Sequence, residues 1–454
     1  MRTTPSTSSF VESLRSIPAA ERTTVLRSLS LDQQRRLLWD WRTWARDKQL
    51  PPAGSWRTWD IRAGRGWGKD WTGSNWVHER AIALPREIAL VAATPADARD
   101  FMIEGPSGLV RLTPPHTRPV YWPSKRRLTW PNGSYATVFS GAEPDQLRGF
   151  SGDTAWVDEL PKFQYPRETW MNLQFGMREA SIDQPRTLLT HTPKPMTLLR
   201  EIEASASTVL TTGSSDENRV NLDPGWFDDI LDPLRGTALG LQEIDAMLLD
   251  EAEGAMWSRG MIDNGRVSSP PVLEGGGLDL MRIVVAIDPA VTSTADSDET
   301  GIVAAGLGPG KCVCGEDNTP HAFILADRSG RYTPKGWAEA ALGLYDMLGA
   351  DRLVAETNNG GEMVETTIRT IRPSVSYRAL HASRGKQARA EPIVALYEQG
   401  RIHHVGPLPD LEDQLVMWEP LSGAASPDRL DALVWAVTEL MLEGGSPNVR
   451  HFTV

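Results

Sequence analysis

The sequence predicts two α/β domains in series, one over about residues 51–260 and one over 281–454. Three observations carry this expectation. Short apolar runs alternate with helical stretches twice over, each series with its own set of strands. Between the two series, Pro and Gly accumulate in MIDNGRVSSPPVLEGGGLDL (261–280), which reads as a linker. The length of 454 residues also exceeds what a single core organises, about 250–300 residues.

Residues 1–50 read as a helical segment of the first domain. The run TTVLRSLSLDQQRRLLWDW (23–41) has Ser30 and Asp32 as candidate caps. The strands of the first domain are TWDIRAG (58–64), EIALVAAT (87–94), YATVF (135–139), TAWVDE (154–159) and RTLLTHT (186–192), with polar residues where the strands end. Residues 201–260 are mixed and end in an acidic helix candidate, LQEIDAMLLDEAEGAM (241–256). The second domain begins with three strands, MRIVVAIDPA (281–290), TGIVAAG (300–306) and HAFILADRSG (321–330). A helix (333–348), a strand (352–357), a helix (387–400) and a terminal helix (428–442) follow. Three strands, then helix, strand, helix and a terminal helix is the order of a ribonuclease-H-like domain.

Between the first strand and a helix start lies Gly64-Arg65-Gly66-Trp67-Gly68-Lys69-Asp70. Glycines there let backbone amides turn toward phosphate oxygens, and the helix N-terminus adds its positive end. Lys69 would reach the β and γ phosphates of ATP. Asp70 occupies the place of the usual Ser or Thr hydroxyl, as a direct Mg²⁺ ligand or as a charge that repels the γ-phosphate. The strand ending in Asp158-Glu159 supplies one carboxylate for Mg²⁺ and a second to activate water. Thr190-His191-Thr192, at another strand end, offers a hydroxyl to sense the γ-phosphate, although an ordinary polar loop explains His191 equally well.

In the second domain Asp288 and Glu356 end strands that otherwise read as core. Asp431 lies in the first turn of the terminal helix, with Asp428 on nearly the same face. Carboxylates gathered at one sheet edge need divalent cations, and two Mg²⁺ or Mn²⁺ ions suit phosphodiester cleavage. Asp298 is a candidate further ligand. Arg384, Lys386 and Arg389 are candidates to hold a DNA backbone. Net charge is −12, from 47 basic and 59 acidic side chains, which argues against nonspecific coating of nucleic acid while leaving room for a local channel. No apolar run reaches the roughly 18–20 residues of a membrane span, and the N-terminus has no signal-peptide core, so a cytosolic place is expected. Cys312 and Cys314 form neither a disulfide framework nor half of a zinc site, and they read as loop.

Taken in order, RAGRGWGKDWTGSNWVHERA (62–81), DQLRGFSGDTAWVDEL (145–160), LLTHTPKP (188–195), AIDPA (286–290), AETNNGG (355–361), RGKQARAEPIVALYEQGRIHH (384–404) and PDRLDALVWAVTEL (427–440) resemble the large terminase subunit of tailed bacteriophages. They are closest to the type encoded with gene transfer agents and prophages. The resemblance implies a RecA-like (ASCE) ATPase that drives double-stranded DNA into a prohead, followed by a ribonuclease-H-like nuclease that cuts concatemers. It makes Arg65, Gly66, Gly68, Lys69, Asp70 and Asp158 ATP-site residues, Glu159 the catalytic carboxylate and Thr190 to Thr192 the coupling segment. It likewise makes Asp288, Glu356 and Asp431 the nuclease metal ligands. Implied partners are DNA, the portal protein, a small terminase subunit and further copies of the chain as a pentamer. Implied localisation is the cytoplasm of the bacterial host, transiently at the portal vertex of the prohead. Two other readings stand beside it. One is a remnant whose ATPase is impaired by Asp70; the other is a helicase-like repair ATPase fused to a nuclease, which calls for a second RecA-like domain that the sequence after 200 does not offer.

Overall fold

A computed structural model describes residue 17 and residues 19–179, 184–273, 277–289, 299–309, 311–312, 315–316, 319–357, 361–382, 385–420 and 427–442. The chain divides into two units, 1–248 and 249–454.

Helices α1 (Ala19–Ser28) and α2 (Leu31–Trp39) occupy the predicted N-terminal helical segment. Ser30 caps α2: its hydroxyl accepts from the Gln33 amide at 3.3 Å, and Gln33 Oε1 accepts from the Ser30 amide at 2.9 Å. Asp32, the other candidate cap, lies inside the helix.

The first unit is built on a sheet of β1 (Thr58–Ala63), β2 (Glu87–Ala92), β3 (Val120–Trp122), β4 (Arg127–Thr129), β5 (Tyr135–Ser140), β6 (Thr154–Asp158), β7 (Arg186–His191) and β8 (Thr208–Gly213). Its order is β3-β4-β5-β2-β6-β7-β1-β8. The strands from β5 to β8 are parallel, and β3 and β4 add an antiparallel edge. Five strands stand where the apolar runs predict them. β3 and β4 are three residues each, too short for an alternating pattern to register, and β8 is a half-exposed edge. One face carries a Trp-rich core of Trp56, Trp59, Ile61, Trp76 and Trp156 under α3 (Lys69–Ala83). Phe139, Phe150, Leu189 and Leu199 fill the other face, beneath α4 (Pro166–Gly176) and α5 (Thr197–Ala204). Gly73 lets α3 approach the sheet, since a Cβ there would meet the Trp156 ring at 2.3 Å.

The acidic helix expected over 241–256 is absent. A helix, α6 (Ala238–Glu243), ends as that segment begins, and the chain turns at Ala246 with φ of 56°. Ile244 is fully buried with Phe227 and Leu231, so tertiary anchoring overrides a helical propensity of a few tenths of a kcal/mol per residue, about the usual scale.

The linker expected over 261–280 is also revised, because its first half belongs to the core of the second unit. Trp257 and Ile262 are 1% and 0% exposed and pack with Val284, Tyr397 and Trp418. Ile262 comes from α7 (Arg259–Asn264), and Val267 bridges to Val405. A fragment beginning at Leu249 should therefore be more stable to urea than one beginning at Leu280, by about 5 kcal/mol. That is the usual scale for losing a buried Trp together with a buried Ile. Equal unfolding midpoints for the two fragments would contradict this packing.

The second unit's main sheet holds β9 (Arg282–Asp288), β10 (Gly301–Gly308), β13 (His321–Asp327), β14 (Arg352–Glu356), β15 (Tyr377–Leu380) and β16 (Ile402–His404), in the order β15-β14-β9-β10-β13-β16. A two-residue pair, β11 (Lys311–Cys312) and β12 (Gly315–Glu316), stands apart where a loop was expected; Cys314 lies outside the described residues. β10 is antiparallel to both β9 and β13; β14 joins β9, β16 joins β13 and β15 joins β14 in parallel. Helices α8 (Pro334–Leu348), α9 (Gly361–Ile371), α10 (Lys386–Glu398), α11 (Pro409–Met417) and α12 (Asp428–Val437) complete it. The predicted order of three strands, helix, strand, helix and terminal helix is present, with α9, β15, β16 and α11 inserted between its members. Gly301 decides where α12 begins. It pairs in register with Asp288, and a Cβ there would lie 2.0 Å from the Asp428 carbonyl oxygen. The start of α12 thus rests against the strand end that carries Asp288.

Candidate functional site

In the first unit the functional residues gather at the carboxyl ends of β6, β7 and β1, which are adjacent in the sheet. The chain leaves β1 into a loop where Gly66 and Gly68 take φ of 73° and 98°, and Gly68 opens α3. Lys69 is 8% exposed, and its Nζ donates to the Ala63 carbonyl at 2.9 Å and to Thr192 Oγ1 at 2.9 Å. Glu159 Oε1 stands 3.7 Å from the same nitrogen.

Thr190 and Thr192 connect the rest. Thr190 Oγ1 donates to Asp158 Oδ1 at 2.7 Å and accepts from Trp156 Nε1 at 2.7 Å. The Glu159 amide donates to the Thr190 carbonyl at 2.7 Å, and Glu159 sits at φ of 55°. Thr192 Oγ1 lies 3.4 Å from Glu159 Oε1. Burial first, and then the charges of Asp70 and Glu159, push the Asp158 carboxyl well above the usual carboxylate range. Burial also raises Asp70, with Glu159 adding to the effect and Lys69 opposing it. Three carboxylates thus share one buried lysine, and that surplus of negative charge suits a divalent cation.

Arg65 points elsewhere: its exposed guanidinium pairs with Glu243. Thr72 is no substitute for the missing hydroxyl at position 70, because its own hydroxyl donates to the Gly68 carbonyl at 2.9 Å. His191 is not a loop residue; it ends β7, wholly buried, with Nε2 2.9 Å from Asp60 Oδ1. Sequence reasoning missed the braces of the loop. Arg46 donates to the Trp67 carbonyl and stacks on the Trp67 ring at 4.6 Å, and Gln49 reaches Thr72 Oγ1 at 3.2 Å. They lie some twenty positions upstream with no motif to mark them.

In the second unit Asp288, at the end of β9, is pushed well above the usual carboxylate range by burial and then by Asp431, Asp428 and Glu356. The charges of Asp431, Asp428 and Glu356 thus all bear on Asp288. The basic residues differ from expectation. Lys386 Nζ donates to Asp431 Oδ2 at 2.7 Å. Arg389, with its side chain 10% exposed, donates to Glu356 Oε2 at 3.2 Å and stacks on Trp435 at 4.5 Å. Trp435 Nε1 donates to the same oxygen at 2.8 Å. Both cations thus face the carboxylates instead of standing free for a DNA backbone, because clustered acids draw neighbouring positive charge inward. Asp298 and Arg384 lie outside the described residues. A carboxylate cluster with raised Asp288 suits divalent cations, although its ligand atoms are not drawn together as tightly as those of Asp60, His191 and Glu203. Those three, in the first unit, have ligand atoms all within 4.8 Å of one another.

Among the described residues no helix is long and apolar enough to cross a membrane. Residues 60–262 match the family model of the terminase large subunit, T4likevirus-type, N-terminal, and residues 285–440 match that of the terminase RNaseH-like domain. No curated protein matches the chain. Among solved structures, the large terminase of a thermophilic bacteriophage is 13% identical, with 89% of this chain and 98% of that chain covered and a TM-score of 0.38. The bacteriophage HK97 large terminase is 13% identical over 85% of this chain and 91% of that one, with a TM-score of 0.39. The Thermus phage P74-26 large terminase ATPase domain is 16% identical over 44% of this chain and 94% of its own, with a TM-score of 0.34. The assignment rests on the two family models, which follow one another along the chain in the order ATPase then nuclease: the chain belongs to the terminase large subunits, the DNA-packaging proteins that join an ATPase to an RNase-H-like nuclease.

Proposed function

We propose that the Lys69 loop and the Asp158–Glu159 strand end hydrolyse ATP with Mg²⁺ to drive double-stranded DNA into a prohead, and that Asp288, Glu356 and Asp431 cut it with two Mg²⁺ or Mn²⁺ ions. One observation supports the ATPase reading above the others: Lys69, Asp158 and Glu159 are tied together by the hydroxyls of Thr190 and Thr192. In this reading Lys69 exchanges its carbonyl and hydroxyl partners for the β and γ phosphates, while Glu159 orients and deprotonates the attacking water. Thr192, bonded to Lys69 and close to Glu159, senses whether the γ-phosphate is present. At the nuclease centre the bound ions would supply a water nucleophile and stabilise the leaving oxygen. Asp288, Glu356 and Asp431 would hold them, Asp428 would support from the first turn of α12, and Lys386 and Arg389 would release their carboxylate partners, Asp431 and Glu356, to the incoming cations.

The resemblance extends this proposal to the portal protein, a small terminase subunit and a pentamer at the portal vertex, in the cytoplasm of the bacterial host. It extends it also to the gene-transfer-agent or prophage type. ATP hydrolysis measured with and without DNA and portal, beside plasmid cleavage with and without EDTA, tests both engines. Hydrolysis indifferent to portal and DNA would contradict the motor reading.

Asp70 favours a second reading, an impaired ATPase. If the carboxylate is a tolerated magnesium ligand, as proposed here, Asp70→Thr leaves steady-state ATP hydrolysis within a few-fold at saturating ATP and Mg²⁺. A gain of about tenfold, equivalent to about 1.4 kcal/mol of barrier, would show instead that a misplaced charge opposes the γ-phosphate.

A further inference from the structure

The segment Thr190-His191-Thr192 faces two ways. Successive residues of a strand alternate between the faces of a sheet. Thr190 lies on the face of Leu188 and Ile61, toward Trp156 and α3, and its hydroxyl meets Asp158. His191 lies on the face of Leu189, toward α5. There it meets Asp60, two residues before Arg62 on the adjoining strand β1, where Arg62 is the register partner of His191.

Asp60 and His191 are both 0% exposed, and the Nε2···Oδ1 distance is 2.9 Å. Beside them Arg62 Nη1 is 2.8 Å from each carboxylate oxygen of Glu203, which projects from α5. Asp60 Oδ2 and His191 Nδ1 have no protein partner among the described residues. The single Asp60–His191 contact is therefore the one side-chain hydrogen bond that holds the imidazole. Without access to solvent, water does not readily replace it when it is cut. Arg62 already neutralises Glu203, so a divalent cation would add positive charge to a buried cluster that holds a guanidinium. A hydrogen-bonded tie fits these charges better than a metal centre does.

The tie joins two strands with different duties. β1 runs directly into the phosphate loop, and its last carbonyl, Ala63, accepts from Lys69. β7 ends at His191, so Thr192 is the first residue beyond the ladder, and it meets Lys69 and Glu159.

We propose that Asp60 is a positioning residue for ATP hydrolysis: by holding buried His191 it fixes the end of β7 against β1, so that Thr190 and Thr192 meet Asp158, Glu159 and Lys69 together. The inference rests on reading the Lys69 loop as the ATP site. It goes beyond that reading in assigning a role to residues on the face of the sheet opposite Thr190 and Trp156.

The test compares full-length Asp60→Asn, which keeps shape and an acceptor oxygen, with Asp60→Leu, which keeps the branching of the side chain and removes the acceptor. His191→Gln, which keeps a donor, is measured in parallel. Steady-state ATP hydrolysis gives kcat and KM, and circular dichroism and thermal unfolding report the fold. The expected result for Asp60→Leu is a kcat at least tenfold lower with KM for ATP within threefold, while Asp60→Asn keeps at least a third of the parent kcat. His191→Gln should fall between them, and it carries the test if Asp60→Leu fails to fold. A folded Asp60→Leu protein with the parent kcat overturns the proposal. If Asp60→Leu does not fold, a folded His191→Gln protein with the parent kcat overturns it, and a folded, inactive Asp60→Asn protein overturns it in either case. One equivalent of tightly held metal in the dialysed parent, lost in Asp60→Leu, would overturn it in favour of a metal site. The parent and Lys69→Ala separate the two readings. No Lys69-dependent hydrolysis in the parent sinks the ATP assignment itself, whereas parent hydrolysis unaffected by Asp60→Leu sinks only the positioning role.

Discussion

Glu159→Gln should abolish ATP-driven packaging while leaving nucleotide binding intact, and Lys69→Ala should abolish packaging and weaken binding as well. Glutamine keeps the size of Glu159 and its reach toward Thr192, but it removes the charge that would accept a proton from water. Catalytic loss without loss of affinity is the signature of an interaction made in the transition state alone. Lys69 differs because its ammonium is buried, stands 3.7 Å from Glu159 and opposes the upward shifts of Asp158 and Asp70. Its removal leaves three carboxylates facing the place of the triphosphate, so repulsion adds to the lost attraction. A fall of about a hundredfold or more in hydrolysis is expected for either change, the scale for losing a preorganised electrostatic contact. DNA translocation into proheads and binding of a fluorescent ATP analogue measure the two quantities separately. Near-parental packaging by Glu159→Gln would refute its catalytic assignment.

The second large effect is on cleavage. Asp288→Ala, Glu356→Ala and Asp431→Ala should each abolish plasmid nicking and linearisation with Mg²⁺ or Mn²⁺ while ATP hydrolysis stays close to that of the parent. Asp428→Ala should be milder, because Asp428 opens α12 while Asp431, 3% exposed, lies a turn further in and pairs with Lys386. The three strong variants should differ in stability even where they agree in activity. Removing Asp288 relieves repulsion among clustered acids, so its unfolding midpoint should hold or rise. Removing Glu356 leaves Arg389 and the Trp435 indole without their shared acceptor, at a cost of about 1–3 kcal/mol. Urea unfolding beside the nuclease assay checks this, and Glu356→Gln, which keeps an acceptor for both donors, should recover stability but not cleavage. Cleavage at the parental rate by a folded Asp431→Ala protein would remove it from the metal set and make Asp428 the first replacement.

Much of this was legible along the chain. Strands β1, β2, β5, β6 and β7 are apolar runs bounded by polar residues, and local pattern suffices to find such runs. The same holds for β9, β10, β13 and β14. Asp158, Asp288 and Glu356 could be singled out because each stands at the end of such a run, where a charge has no place in the core yet opens at the sheet edge. Lys69 could be singled out from the run of glycines between a strand and a helix start. Ser30 announced itself as a cap for a similarly local reason.

What the sequence by itself determined, then, is the two α/β series, their order, and the charged residues at their strand ends, since each depends on neighbours within a few positions. The tertiary structure alone decided the rest. It drew Trp257 and Ile262 into the second core, where they pack with Val284, Tyr397 and Trp418, residues that only the fold brings near them. It ended the helix at Glu243 by burying Ile244. It turned Lys386 and Arg389 onto carboxylates tens of positions away, since a charge follows the local field and not its sequence neighbours. And it paired Asp60 with His191, 131 positions apart, through a strand register that no local pattern encodes.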